Sequence, residues 1–436
     1  MNNPALESSR YLQRQAASLL LYQEVLADEI GQAFLQLLKA IAQGTPTHFE
    51  ALQAYGRWFH ALATAGKSWE ENLLDRLLAA ENPFTQQAQQ HDFDDLSPSL
   101  VAAAKQDLQV LQYLYNCDGE KLGQWVQTAY NLTMPPVVYQ NSPTQIPEYQ
   151  QSIRETLINA SDWGETVPTV AAYYRQYGTG IFAQYRALRW ESGEFQGIPH
   201  PDPVTLADLV GYEFPKQRLI QNTEFLLAGY AALHVILYGS RGSGKSSLVK
   251  ALANEYGDRG LRLIEVPKAD LNDLPAIVNR LWGCPQKFII FVDDLSFEED
   301  DDAFKALKVV LEGSLHARPQ NVVVYATSNR RHLVREFFGD RPKPSSQEIH
   351  AWDTQEEKLS FSDRFGLTLT FEPADRDTYL EIVRNLAKQA GLAIATEDLE
   401  SRALQWATQH NGRSGRTARQ FIDFLQAELA SKAYST

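Results

Sequence analysis

Eight consecutive residues constrain the fold more than any other stretch: Gly239-Ser240-Arg241-Gly242-Ser243-Gly244-Lys245-Ser246, in the pattern G-x-x-x-x-G-K-[ST]. Glycines let backbone N–H groups converge on an anion, the lysine reaches the β and γ oxygens of a nucleotide, and the serine hydroxyl ligates Mg2+. Such a loop works between a strand and the helix it opens, and both flanks are present. Leu233 to Tyr238 is a short apolar run suited to a buried parallel strand. Leu248, Val249, Leu252, Ala253 and Tyr256 then recur at helical spacing, with Gly257 placed to cap the helix. The chain is expected to bind ATP or GTP through Gly239, Ser240, Arg241, Gly242, Ser243, Gly244, Lys245, Ser246 and the following Ser247.

A length of 436 residues suggests about three domains, and 44% hydrophobic with 22% charged residues is ordinary for a globular protein. A net charge of −14 argues against a surface coated in Lys and Arg for continuous duplex binding, while leaving a local basic patch open. The two cysteines, Cys117 and Cys284, are far apart and form no CxxC pair, so neither a disulfide framework nor a zinc cluster is expected and a reducing, cytoplasmic setting fits. Met1 to Glu7 lacks the basic-then-apolar order of a secretion signal, and no long uncharged apolar run occurs. No membrane insertion is expected.

Up to residue 195 the chain reads as a separate all-helical region. Thr47 to Glu50 and Ser68 to Glu71 form capping boxes, and Ser97-Pro98 reads as an N-cap followed by proline at the first helical position. The prolines at 135, 136, 143 and 147 suggest a stiff extended connection dividing this region. Tyr173 to Tyr177 and Tyr185 to Trp190 read as further helix with tyrosines packed inward and arginines outside. After prolines 199, 201 and 203, apolar strands at 261–266, 288–292 and 322–326 alternate with helices, which means a largely parallel α/β sheet over 196–372. From 373 to 436 only helices are expected, including Tyr379 to Ala390 and Thr417 to Ala433.

The strand Phe288 to Val292 ends in Asp293-Asp294. After a phosphate loop an acid there holds Mg2+, so Asp293 with Ser246 is the expected metal pair and Asp294 the group that orients and deprotonates the attacking water. No H-E-x-x-H or G-x-S-x-G for protease or hydrolase chemistry occurs.

From about Trp190 onward, several phrases resemble AAA+ ATPases and, in wording, the bacterial family called domain of unknown function 815. They are Leu209-Val210-Gly211-Tyr212-Glu213, the phosphate loop, Phe291 to Glu298, Tyr325-Ala326-Thr327-Ser328-Asn329 with Arg330 to Leu333, and Leu359 to Gly366. The resemblance implies an αβα sandwich with a parallel sheet and a C-terminal helical lid. It implies that Val210 and Gly211 lie around the adenine, and that Asn329 holds the attacking water as the sensor-1 residue. Arg364 corresponds to the arginine finger that reaches the neighbouring subunit's site, and a lid arginine contacts the γ-phosphate. Arg416 is the choice for the last role, because Phe421 then falls on the packed face, with Arg413 and Arg419 as alternatives.

Asp294 stands where the wider family has Glu, one methylene longer, so hydrolysis is expected to be slow or to use Glu298. Pro267 to Leu271 offers no aromatic-apolar-Gly loop of a threading unfoldase, and Leu281-Trp282-Gly283 reads as core. The leading expectation is an ATPase using ATP and Mg2+, acting as a ring-like or nucleotide-dependent homo-oligomer on a protein or nucleic-acid client. The alternative is a slow-hydrolysing nucleotide switch or scaffold. A small-molecule P-loop kinase explains neither Asn329 nor the lid arginines.

Overall fold

Helix-favouring sequence with Leu, Tyr and Trp at helical spacing builds the chain up to Gln184, which closes the first of two compact units, Met1–Gln184 and Tyr185–Thr436. The structure is a computed structural model that describes residues 4–43, 49–130, 132–141, 146–295, 302–312, 319–329, 364–410 and 412–433. The first unit contains α1 (Pro4–Ala17), α2 (Glu29–Gln43), α3 (Glu50–Ala65), α4 (Trp69–Leu78), α5 (Pro83–Gln90), α6 (Pro98–Tyr115), α7 (Gly119–Tyr130), α8 (Glu148–Asn159), α9 (Val167–Tyr177) and α10 (Gly180–Gln184). Helices α1 to α9 share one core in which the rings of Phe34 and Trp69 stack 4.0 Å apart.

Ser68 and Glu71 exchange side-chain and backbone hydrogen bonds at 3.1 and 3.2 Å, the reciprocal cap that their spacing predicts. Asn82 and Thr85 do the same for α5. Ser97 precedes Pro98 at the start of α6, but its hydroxyl meets that of Ser99 instead of a backbone N–H. Thr47 and His48 lie outside the described residues, and α3 begins at Glu50.

The proline-rich stretch does not divide the unit. The Tyr55 hydroxyl donates to the Val137 carbonyl at 3.0 Å, and Ile153, Leu157 and Tyr174 beyond the prolines enter the same core. Pro143 lies outside the described residues, and the described part of the stretch is tied to the helices through Val137 and Asn141.

The second unit holds seven described strands: β1 (Ala187–Glu191), β2 (Glu194–Gly197), β3 (Val235–Gly239), β4 (Leu261–Glu265), β5 (Lys287–Val292), β6 (Val322–Ser328) and β7 (Leu367–Phe371), in the order β2-β1-β4-β5-β6-β3-β7. All pairings are parallel except the β1–β2 hairpin. Residues 187–190, expected in a helix, are therefore strand. Leu188 and Trp190 are buried while Arg189 and Glu191 are exposed, a period of two that the interleaved aromatics and arginines also allow. The compact unit accordingly begins at Tyr185 instead of after residue 195. The prolines near 200 lie in a loop held to the helix after the phosphate loop, where the Asn254 amide donates to the carbonyls of Asp202 and Val204 at 2.7 and 2.8 Å.

Helices α11 (Glu213–Leu227) and α12 (Lys245–Tyr256) share a core with Leu237, Leu263, Ile289 and Tyr325 from one sheet face. The alternate residues Ile236, Ile264, Ile290 and Val324 are equally buried, so the sheet is covered on both sides, as an αβα sandwich requires. Helices α13 (Leu274–Leu281) and α14 (Asp302–Glu312) follow β4 and β5. Leu281 is buried, but Trp282, expected in the core, is 50% exposed. Gly257 stands at the C-cap of α12 as expected, with right-handed backbone, and a 3-10 turn carries the chain on to a left-handed Gly260.

Helices α15 (Arg376–Gln389), α16 (Thr396–Gln409) and α17 (Gly415–Ala433) form a core of their own around Tyr379, Val383, Ala403 and Phe421. Among the described residues no helix is long and apolar enough to cross a membrane.

Candidate functional site

Parallel strands in register bring their C-terminal ends to one edge, where ligands of open α/β sheets bind. Tyr238 pairs with Ser328, Val292 with Ala326 and Gly239 with Phe371. The phosphate loop, Asp293 and Asn329, each just past its strand, therefore meet. Gly239 is obligatory here: φ is +153°, and a Cβ would stand 2.0 Å from the Phe371 carbonyl oxygen. Gly244, at φ +87°, turns the loop into α12.

Lys245 is only 6% exposed. Its ammonium donates to the carbonyls of Gly239 and Ser240 at 2.9 and 2.8 Å and to Asn329 Oδ1 at 3.3 Å. Burial lowers its pKa, against the opposing pull of Asp293 and Asp294. Below it the Ser246 hydroxyl donates to Asp293 Oδ1 at 2.6 Å, and the Thr327 hydroxyl donates to the same oxygen at 2.5 Å. Thr327 also accepts the Asp294 backbone N–H at 2.9 Å. Asp294 has a left-handed backbone, φ +51°, and its carboxylate accepts the Asn329 amide at 2.5 Å.

These groups line a cleft of about 960 Å3. One wall is Leu209, Val210, Gly211 and Tyr212, and the lid contributes Ile382, Leu386, Gln389, Arg416 and Arg419. The Lys216 ammonium fixes the Leu209 carbonyl at 2.8 Å, and the Tyr212 hydroxyl reaches the Glu372 carbonyl at 2.8 Å. Lid and wall are joined directly. Gln389 donates to the Asp208 carboxylate at 2.9 Å and Asn385 to the Asp208 carbonyl at 3.1 Å. At the other end Gly242 meets the lid so closely that a Cβ would lie 3.0 Å from Ser414 Oγ and 3.1 Å from Arg416 Cβ.

Of the residues singled out in the sequence, Arg241 to Ser247, Val210, Gly211, Asp293, Asp294, Asn329 and Arg416 line one cleft, with Gly239 and Ser240 at its base through Lys245. Arg364 does not line it, nor does Arg413, whereas Arg419 does. Glu298 lies outside the described residues. Thr327, Lys216 and Phe371 were not singled out. Thr327 sits inside the quoted phrase Tyr325 to Asn329, two residues before Asn329, but only pairing of β5 with β6 shows that it faces Asp293.

The donor set suits Mg2+: a hydroxyl from Ser246 and a carboxylate from Asp293 are hard oxygen ligands, few enough to leave positions for water and phosphate. The ion would supply charge neutralisation at bridging phosphate oxygens.

Similar proteins include two replication factor C large subunits. That of Thermofilum pendens is 31% identical over 124 residues, 26% of this chain and 29% of the relative, and that of Staphylothermus marinus is 41% identical over 121 residues, 25% and 28% respectively. The chain thus spans under a third of the length of these relatives. The RuvB Holliday junction branch migration motor of Thermotoga maritima is a similar solved structure, at 15% identity over 51% of this chain and 72% of that one, with a TM-score of 0.31. Residues 183–429 match the family described as "Protein of unknown function (DUF815)". With over half its length in that match and a phosphate loop set in an αβα sandwich with a helical lid, the chain belongs to this family and is a AAA+ P-loop protein.

Proposed function

We propose that this protein binds ATP with Mg2+ and hydrolyses it as a homo-oligomer, ring-like or assembled on nucleotide, coupling nucleotide state to its lid and acting on a protein or nucleic-acid client in the cytoplasm. The observation that carries this reading is the convergence of Ser246 and Thr327 on one oxygen of Asp293, beside a buried Lys245 and under lid arginines. Lys245 and Ser246 would hold phosphate and metal, Asp293 the metal, and Asp294 would take the proton of the attacking water. Asn329 would align that water, Arg416 would bind the γ-phosphate from the lid, and Arg364 would serve the next subunit's cleft. The replication role named for the replication factor C relatives supports a nucleic-acid client.

The test is ATP hydrolysis with Mg2+ by the purified chain, together with sedimentation. Lys245→Ala and Arg364→Ala should each abolish turnover, and mixing the two variants should restore part of it, because one supplies the finger and the other the cleft. A monomer in ATP and Mg2+ whose hydrolysis is unchanged by Arg364→Ala would overturn the reading.

A second reading is a switch or scaffold that hydrolyses ATP rarely. The hold of Asn329 on the short Asp294 carboxylate supports it, since a carboxylate so engaged must be released before it can meet a water. Many turnovers per subunit per minute without a partner would exclude it.

A further inference from the structure

The first unit carries a groove of about 930 Å3 between α1, α6 and α7, unrelated to the nucleotide cleft. Among the described residues that line it the cations are Arg10, Arg14 and Lys121 and the carboxylate is Glu7, with Asp118 beside Lys121. Arg10 and Arg14 lie one helical turn apart, about 6 Å along the axis. Among the described residues Arg10 donates through Nε alone, to the Ala42 carbonyl at 3.3 Å. Neither arginine has an ion pair among the described residues, whereas Lys121 bonds the Asn116 carbonyl and lies 4.0 Å from Asp118.

Between the cations stand aromatic rings. Tyr11 and Tyr113 are 41% and 47% exposed, line the groove and pack edge to face with centroids 5.9 Å apart. Trp125, one turn after Lys121, lines the same wall.

Charge and shape together select the occupant. In a chain of net charge −14, a local excess of unpaired arginine attracts an anion only at short range. Half-exposed tyrosine rings that share a groove with arginines can stack on flat rings and suit bases whatever their identity. A docked amphipathic peptide would call for an aliphatic trough, and the exposed apolar surface here is aromatic. The α1 frontage is about 10 Å long, too short for duplex. We propose that this groove binds single-stranded nucleic acid, phosphates against Arg10, Arg14 and Lys121 and bases on Tyr11, Tyr113 and Trp125. The site is independent of the ATP cleft, so its failure leaves that reading intact.

The experiment is fluorescence anisotropy of a labelled oligothymidylate with the full chain across a salt series. Three phosphate contacts predict a slope of log affinity on log salt of about −2. Arg10→Ala with Arg14→Ala should make that slope shallower by about 1.4. Tyr11→Ala with Tyr113→Ala should weaken binding roughly tenfold or more at unchanged slope. Arg14→Gln alone should remove about one contact, about 0.7 in slope, and thermal melts identify any variant that misfolds. No binding at low salt, a slope indifferent to the arginines, or displacement of the oligonucleotide by an acidic tyrosine-containing peptide that binds more tightly would each overturn the proposal.

Discussion

Replacing Lys245 by methionine is expected to leave the ligand-free fold near its original stability while removing its response to nucleotide. Methionine is unbranched and of similar length, so it fills a slot that is 6% exposed without a void. The loss is the ammonium's hydrogen bonds to the Gly239 and Ser240 carbonyls and to Asn329 and its attraction to Asp293 and Asp294. The gain is relief of the burial that lowers the Lys245 pKa. Losing the donor leaves these acceptors short of a partner, at about 1–3 kcal/mol each where buried, and relief of the buried ammonium offsets much of this, so the net loss should stay within about 1–2 kcal/mol, roughly 2–8 °C in Tm for a unit of this size. Nucleotide at a hundredfold its Kd stabilises by about 2.7 kcal/mol, so the original protein should gain roughly 5–10 °C with ATP and Mg2+, and Lys245→Met should gain none. Differential scanning fluorimetry reads both. The pH dependence has a definite sign: with the folded pKa below its ordinary value of 10.5, the unfolded chain binds more protons, so stability rises with pH between the two. The original protein should therefore gain on Lys245→Met as pH rises toward 10.5. A drop of more than about 10 °C without ligand would make Lys245 a structural residue, and a retained ATP shift would remove the phosphates from this loop.

Three further outcomes are expected. Gly242→Ala places a Cβ against Ser414 and Arg416 at φ +76°, so calorimetry should show ATP affinity reduced fivefold or more while urea unfolding loses only about 1–2 kcal/mol; unchanged affinity would deny that this loop contact sets the closed lid. Asp107, fully buried, accepts the N–H groups of Leu20, Leu21 and Tyr22 at 2.7 to 3.0 Å, and Asp107→Asn turns one acceptor into a donor facing donors. Urea denaturation of the helical unit should show a loss of about 2–4 kcal/mol, and a loss below about 0.5 kcal/mol would refute the carboxylate's structural role. Asp294→Glu should raise ATP turnover severalfold if reach limits the proton acceptor, and unchanged turnover would remove Asp294 from that role.

Legibility divides along physical lines. A phosphate loop is a local device, since its glycines, lysine and serine act within eight residues, and its flanks announce strand and helix by period alone. Asp293 and Asn329 could be read for the same reason: each follows directly on an apolar strand, and parallel strands end together. Leu188 and Trp190 show the opposite case. Two arginines among aromatics satisfy either period over so few residues, and only pairing with β2 and β4 makes them strand. The prolines at 135–147 read as a boundary because local stiffness is visible, whereas the packing of Ile153 and Leu157 back into the same core is not.

What the amino-acid sequence determined by itself was therefore the chemistry at the ends of individual strands: which residues can meet phosphate, metal and water. The tertiary structure decided which of them share a cleft. Thr327 joins Ser246 on Asp293 across three strands, Arg416 and Arg419 enter while Arg413 and Arg364 do not, and Gln389 reaches Asp208 over a long chain separation. Such contacts depend on strand order and on the docking of one core against another, and no period or spacing along the chain encodes either.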